Sequence, residues 1–226
     1  TFLNSLQLKS TRFFFSFVEY EKSAYDYPQH ARSADAGYAA LLSYAQQEKR
    51  LGAPDAQRVQ LAAIDSALRF SKSFPQDPRG ASVLTNAAEK LYALNDTERA
   101  SAVARQVLAL QPPPPAEQRR VAWTVVAHTS FEKGAFVDAE RAYGEVLALT
   151  PEKDTARGAL TERLAASVYK QGESAREKGQ LPEAIGHYTR VASVAPASPV
   201  RATAQYDAAA AMLALKPVEM HGLRDA

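Results

Sequence analysis

The chain has 226 residues, 46% of them hydrophobic, with 27 basic against 25 acidic side chains and a formal net charge of +2. That suffices for one large domain or an extended array, and it lacks the domain-scale basic excess of a specific nucleic-acid binder. The absence of cysteine excludes disulfides, thiolate zinc sites and a cysteine nucleophile; it suits the cytoplasm and equally an oxidising compartment. No stretch approaches the roughly 18 apolar residues of a membrane span.

Sparse glycine and abundant alanine favour helices that approach closely. The first predicted helix, 3–26, carries Phe13, Phe14, Phe15, Phe17, Tyr20 and Tyr25 of an aromatic cluster that ends with Tyr27 just beyond it. Four phenylalanines within five residues point all round a helix, so the cluster reads either as core or as an aromatic patch for a partner. Helices follow at 32–51, 55–74, 79–94, 96–110, 116–134, 136–149, 152–179, 181–194 and 198–215. Asp55 and Asp96 read as N-caps. The run Pro112–Pro115 is extended and stiff, and reads as a rigid spacer. The chain opens on Thr1 and reads as a piece of a longer protein, with 217–226 as the start of a further unit.

Two stretches say nearly the same thing. EKGAFVDAERAYGEVLALTP runs from Glu132 to Pro151, and EKGQLPEAIGHYTRVASVAP from Glu177 to Pro196. Aligned on Gly134 and Gly179, Phe136 matches Leu181, Ala139 matches Ala184, Tyr143 matches Tyr188 and Val146 matches Val191. Ala127 and Gly172 are small residues seven positions before each glycine. Around Asn95, the residues Ala88, Ala100, Ala104, Val107 and Pro112 fall at the same offsets. Weaker copies end at Pro75 and Pro28.

This pattern describes helix pairs. A Gly or Asn that tolerates a left-handed conformation ends the first helix. Small residues let the second helix cross closely, and proline stops it. Ala127, Ala139, Gly172 and Ala184 are therefore expected at helix crossings. One pair cannot bury its own apolar faces, so pairs stack.

The series Trp123, Ala127, Gly134, Phe136, Ala139, Tyr143 and Pro151 resembles the tetratricopeptide repeat, and so does Gly172 to Pro196. The resemblance implies an all-α fold of helix-turn-helix repeats stacked as a right-handed solenoid. The whole of 1–226 would form one such array, with units at 1–30 (partial), 31–78, 79–115, 116–151, 152–197 and 198–226 (partial). The irregular spacing is similar to that of bacterial envelope proteins, such as outer-membrane assembly lipoproteins and the periplasmic coordinator of the Tol–Pal system. The extra length is expected chiefly within 152–165.

In such repeats the first helices line the concave side. The corresponding positions are Ser82, Thr85, Glu89, Tyr92 and Ala93 in one unit. In the next they are Val121, Thr124, His128, Phe131 and Glu132, and in the last Ala166, Tyr169, Glu173, Arg176 and Glu177. Aromatic anchors with polar neighbours suit a peptide, which selects Tyr92, Thr124, His128, Phe131, Tyr169 and Arg176 as the partner-binding set. The Lys/Asn clamp of chaperone-gripping members of the family is absent from these positions.

No phosphate loop, dinucleotide fingerprint, nucleophile elbow or H-E-x-x-H motif occurs. His30, His128, His187 and His221 are far apart and read as surface or partly packed residues, and Asp138 and Glu140 as solvated helix charges. The sequence thus predicts a non-enzymatic interaction scaffold with no cofactor and no metal. It is expected to bind a protein or peptide and no nucleic acid, and not to insert in a membrane. Homo-oligomerisation is open. The expected place is a bacterial envelope assembly, periplasmic or membrane-tethered on that side, the cytoplasm being the other option. The competing reading is a recruitment module for an enzyme whose catalytic domain lies outside the chain.

Overall fold

The computed structural model describes residues 17–53 and 55–215. Among them every regular element is helical and none is a strand. Phe13, Phe14, Phe15, His221 and the segment 217–226 lie outside the described residues. The chain divides into two compact units, Thr1–Gln118 and Arg119–Ala226.

Unit one contains α1 (17–26), whose last turn, Lys22–Asp26, is π-wound. Then come α2 (Ser33–Glu48), α3 (Asp55–Ser73), α4 (Gly80–Ala93) and α5 (Thr97–Ala109). Consecutive helices pack on one another. Phe17 is buried and stacks on Tyr44, with ring centroids 4.3 Å apart. Tyr25 packs on Phe74, while Tyr20 and Tyr27 face solvent. The α3 core stripe is Val59, Ala63, Ile64, Ala67 and Phe70, the i, i+3/i+4 spacing of a buried helix face. Gly37 lies under that stripe, and a Cβ there would sit 3.0 Å from Phe70.

Unit two contains most of α6 (Ala116–Glu132), then α7 (Phe136–Leu149), α8 (Arg157–Glu177), α9 (Leu181–Val194) and α10 (Val200–Leu215). Here α7, α8, α9 and α10 pack in succession, and α10 also touches α8; α6 meets α7 through His128 with Tyr143 and Phe131 with Phe136. Its core includes Ala165, Val168, Ala184, Tyr188, Val191 and Ala204.

The turn residues behave as their chemistry requires. Asn95, Gly134 and Gly179 have φ of 62°, 74° and 75°. Each closes its helix with the same pair of hydrogen bonds. The N–H of Gly134 donates to Phe131 O at 3.0 Å, and that of Ala135 to Ser130 O at 2.9 Å. The Asn95/Asp96 and Gly179/Gln180 pairs repeat this pattern, which satisfies helix-end carbonyls through a left-handed residue. Ala127, Ala139 and Ala184 are fully buried. Gly172 is buried as well, directly against the Tyr188 ring.

Three local expectations need correction. Asp55 is the first helical residue of α3 rather than its cap, and its carboxylate pairs with Arg58; Asp96 does cap α5, accepting from Arg99 N at 3.2 Å. The helix expected from 152 starts at Arg157. Pro151 is followed by a turn in which Asp154 N donates to Pro151 O and Asp154 Oδ1 accepts from Ala156 N. Arg157 then donates to the carbonyls of Leu147 and Thr150, closing the end of α7. Glu140, read as a solvated charge, accepts from Gln171 at 2.6 Å and pairs with Arg190, so it ties α7 to α8 and α9.

Candidate functional site

The expected partner-binding residues fall in both units. Tyr92 belongs to unit one, in the last turn of α4, and is half-buried. Thr85, expected to face the groove, is buried instead, and its hydroxyl donates to Ala81 O at 2.7 Å. It lies among the buried residues of α4, with Val83, Leu84 and Ala88.

In unit two, Thr124, His128 and Phe131 share one half-buried face of α6, as i, i+4, i+7 spacing requires. The Thr124 hydroxyl is spent on its own helix, donating to Arg120 O at 2.8 Å. His128 Nδ1 lies 2.8 Å from the Tyr143 hydroxyl, and the rings meet edge to face. Burial lowers the His128 pKa, and the positive charge of Arg163 lowers it further. Burial also pushes the Tyr143 hydroxyl up to about 12. Phe131 packs edge-on against Phe136 at the start of α7, with centroids 5.4 Å apart.

Tyr169 and Arg176 converge on one acid. The Tyr169 hydroxyl donates to Asp207 Oδ2 of α10 at 2.6 Å. Arg176 reaches Asp207 Oδ1 only at 3.9 Å, and about half of its side chain, 49%, is exposed. Burial, then the Asp207 hydrogen bond, raises the Tyr169 pKa. Beneath lies the Tyr188 ring, 5.4 Å from that of Tyr169. The Tyr188 hydroxyl is buried with no hydrogen-bond partner. Glu173 alongside is paired with Lys170 at 2.6 Å.

Unit one also holds a feature that sequence positions did not single out, a cleft of about 140 Å³ between α2 and α4. Leu41, Leu42 and Ala45 form one wall, and Val83 and Ala87 the other. Ile64 of α3 is in its floor. The rim is polar, with Asn86 and with Lys90, which is paired to Glu48 of α2. At the α2 N-terminus Arg79 is held by Asp77 and Asp35 and lies over the Tyr38 ring. The charges around the cleft are thus compensated, and its lining is apolar. The cleft can take a single uncharged side chain of leucine or phenylalanine size, since an apolar cavity of about 150 Å³ accommodates benzene.

No cluster of three or more His, Cys, Asp or Glu side chains is placed to hold a metal ion among the described residues. No described helix is long and apolar enough to cross a membrane. Neither a protein-family profile nor a curated protein sequence matches the chain.

Proposed function

We infer that this chain is a non-enzymatic interaction scaffold. Its helix pairs stack as a right-handed solenoid of the tetratricopeptide kind, and the first helix of each pair presents the surface that holds a peptide or protein segment. The observation that carries this reading is repetition. Three helices are closed by one hydrogen-bond pattern at Asn95, Gly134 and Gly179. In α8 a small residue, Gly172, meets the following helix at Tyr188, and its counterpart in α6, Ala127, is fully buried. Such a scaffold supplies shape rather than chemistry, and stacked repeats create extended binding surfaces. Each unit offers its own contact surface. In unit one this is the apolar cleft with Tyr92 on α4; in unit two it is Thr124, His128 and Phe131 on α6, with Tyr169 and Arg176 on α8. The irregular repeat spacing favours a role in a bacterial envelope assembly facing the periplasm.

The test is selection of peptides from a displayed random library on the purified chain, then calorimetry of an enriched peptide against variants. Truncation of a true anchor lowers affinity by about 2 kcal/mol or more, roughly 30-fold. Ala87→Phe should block the cleft; Tyr92→Ala, Phe131→Ala and Tyr169→Phe probe the aromatics, with melting curves as folding controls. If no peptide is enriched, or if all four variants stay folded and bind like wild type, the reading fails.

A further inference from the structure

Six acidic residues lie between Ser33 and Ala93, and five of them are ion-paired. Asp35 and Asp77 hold Arg79, Glu48 holds Lys90, Asp55 holds Arg58 and Asp65 holds Arg99. The sixth, Glu89 of α4, has no such partner among the described residues. Its place is beside the unit-one cleft. Asn86 and Lys90 both line that cleft, and Glu89 directly precedes Lys90 and lies three residues beyond Asn86. Residues i and i+3 of a helix are neighbours, with Cβ atoms about 5–6 Å apart, so Glu89 sits at the mouth of the cleft on the α4 side.

Its surroundings sharpen the point. Both Asn86 and Glu89 are exposed, yet the protein atoms crowding the Glu89 carboxylate raise its pKa, and no cation offsets this. A crowded, unpaired carboxylate gains from any positive charge brought to it. The nearby cations do not serve. Lys90 is turned to Glu48 and Arg79 to its two aspartates, while Lys49 caps the far end of α2 and does not act on Glu89. The cleft therefore has an apolar slot, a neutral amide on its rim and one uncompensated negative charge beside it.

We propose that unit one selects a segment that is basic as well as apolar: a side chain of leucine or phenylalanine size fills the cleft, and a lysine or arginine within two residues of it pairs with Glu89. Two residues of extended chain span about 7 Å, comparable to the step from Asn86 to Glu89. The Asn86 amide, which both donates and accepts, is placed for the backbone between them. This specificity rests on the peptide-binding reading above and adds the sign of the ligand's charge.

The random peptide library is displayed in parallel to the wild-type chain and to Glu89→Lys. Cleft binders are those whose capture falls with Leu42→Gln; Leu42 lines the cleft and is 50% exposed, so this change opens no core cavity. Among cleft binders, wild type should enrich Lys or Arg within two residues of a Leu or Phe, and Glu89→Lys should enrich Asp or Glu there instead. Calorimetry of one wild-type binder should show about threefold to tenfold weaker binding to Glu89→Gln, as for a partly exposed charge pair at an interface. Changing the peptide's basic residue to glutamine should weaken binding to wild type by a similar factor and leave binding to Glu89→Gln unchanged, the coupling that a double-mutant cycle measures. Unchanged melting of the Glu89 variants is the folding control. Cleft binders with no basic preference, or a cycle without coupling, overturn this proposal and leave the scaffold reading standing. Enriched peptides that ignore Leu42→Gln do the same, since they bind elsewhere on the chain. A selection that enriches nothing overturns both.

Discussion

Gly172 is the sharpest place to test the packing. A Cβ there would lie 2.5 Å and 2.6 Å from Cε1 and Cδ1 of Tyr188, and 3.1 Å from Cζ. Carbon contacts below 3 Å do not persist, so Gly172→Ala must push α8 and α9 apart or tilt the ring. The ring has little room. Tyr188 is fully buried and lies against Tyr169, which is itself bonded to Asp207. Overpacking of this kind costs about 1–3 kcal/mol. Against it stands the helix preference for alanine, worth up to about 1 kcal/mol. The clash wins, and the net loss expected is about 1–2 kcal/mol. Gly144 in α7 and Gly186 in α9 supply the control, since a Cβ at either meets nothing within 4 Å. There only the propensity gain remains, and each alanine should stabilise by about 0.5–1 kcal/mol. In a domain of this size 1 kcal/mol moves the melting midpoint by about 2–4 °C. The assay is urea unfolding and thermal melting of the three variants. If Gly172→Ala is as stable as Gly186→Ala, the α8–α9 contact is not as described.

Much of this fold was legible because its punctuation is chemical and local. Gly134, Gly179 and Asn95 mark left-handed helix ends, and the proline after each second helix marks its stop. Phe136–Leu149 and Leu181–Val194 coincide with the expected spans. Where a boundary depended on a turn held by side chains, as at Asp154, offset counting ran the helix five residues too early. The candidate site was legible only as helix faces. Tyr169 and Arg176 were placed on a face, but their partner Asp207 is 38 residues beyond Tyr169, and no local periodicity links the two. The unit-one cleft was missed for a related reason. The second helix of unit one ends at Glu48 without a turn glycine immediately after it, so the counting that located groove positions had no anchor there. Its wall, Leu41, Leu42 and Ala45, nonetheless has the i, i+1, i+4 spacing of one helix face.

Other substitutions probe separate terms. Tyr188→Phe removes a buried hydroxyl that has no partner, so it should be neutral or stabilise by up to about 1 kcal/mol in urea unfolding; a loss above that range would reveal a bond the geometry lacks. Gly179→Ala forces a side chain into φ of 75° and should destabilise by about 1 kcal/mol, whereas Asn95→Gly should not destabilise at all; equal losses for the two would contradict the left-handed assignment. The last concerns pH. His128 of α6 faces Tyr143 of α7, the charge of Arg163 on α8 and that of Glu132 on its own helix. Burial and Arg163 together outweigh Glu132 and hold its folded pKa below the ordinary value. The unfolded chain therefore takes up the proton first as pH falls, and stability is fully present above the ordinary histidine pKa of about 6.5. It declines as pH drops through that value towards the lower folded one. His187 shifts in the same direction, so the wild-type profile alone is ambiguous and the comparison must be with His128→Gln. Between about pH 7.5 and 5, around the histidine range, wild type should lose more of its urea midpoint than His128→Gln does. Parallel profiles would mean that His128 is as easily protonated in the folded chain as in the unfolded one, and that its contact with Tyr143 does not exclude the charged ring.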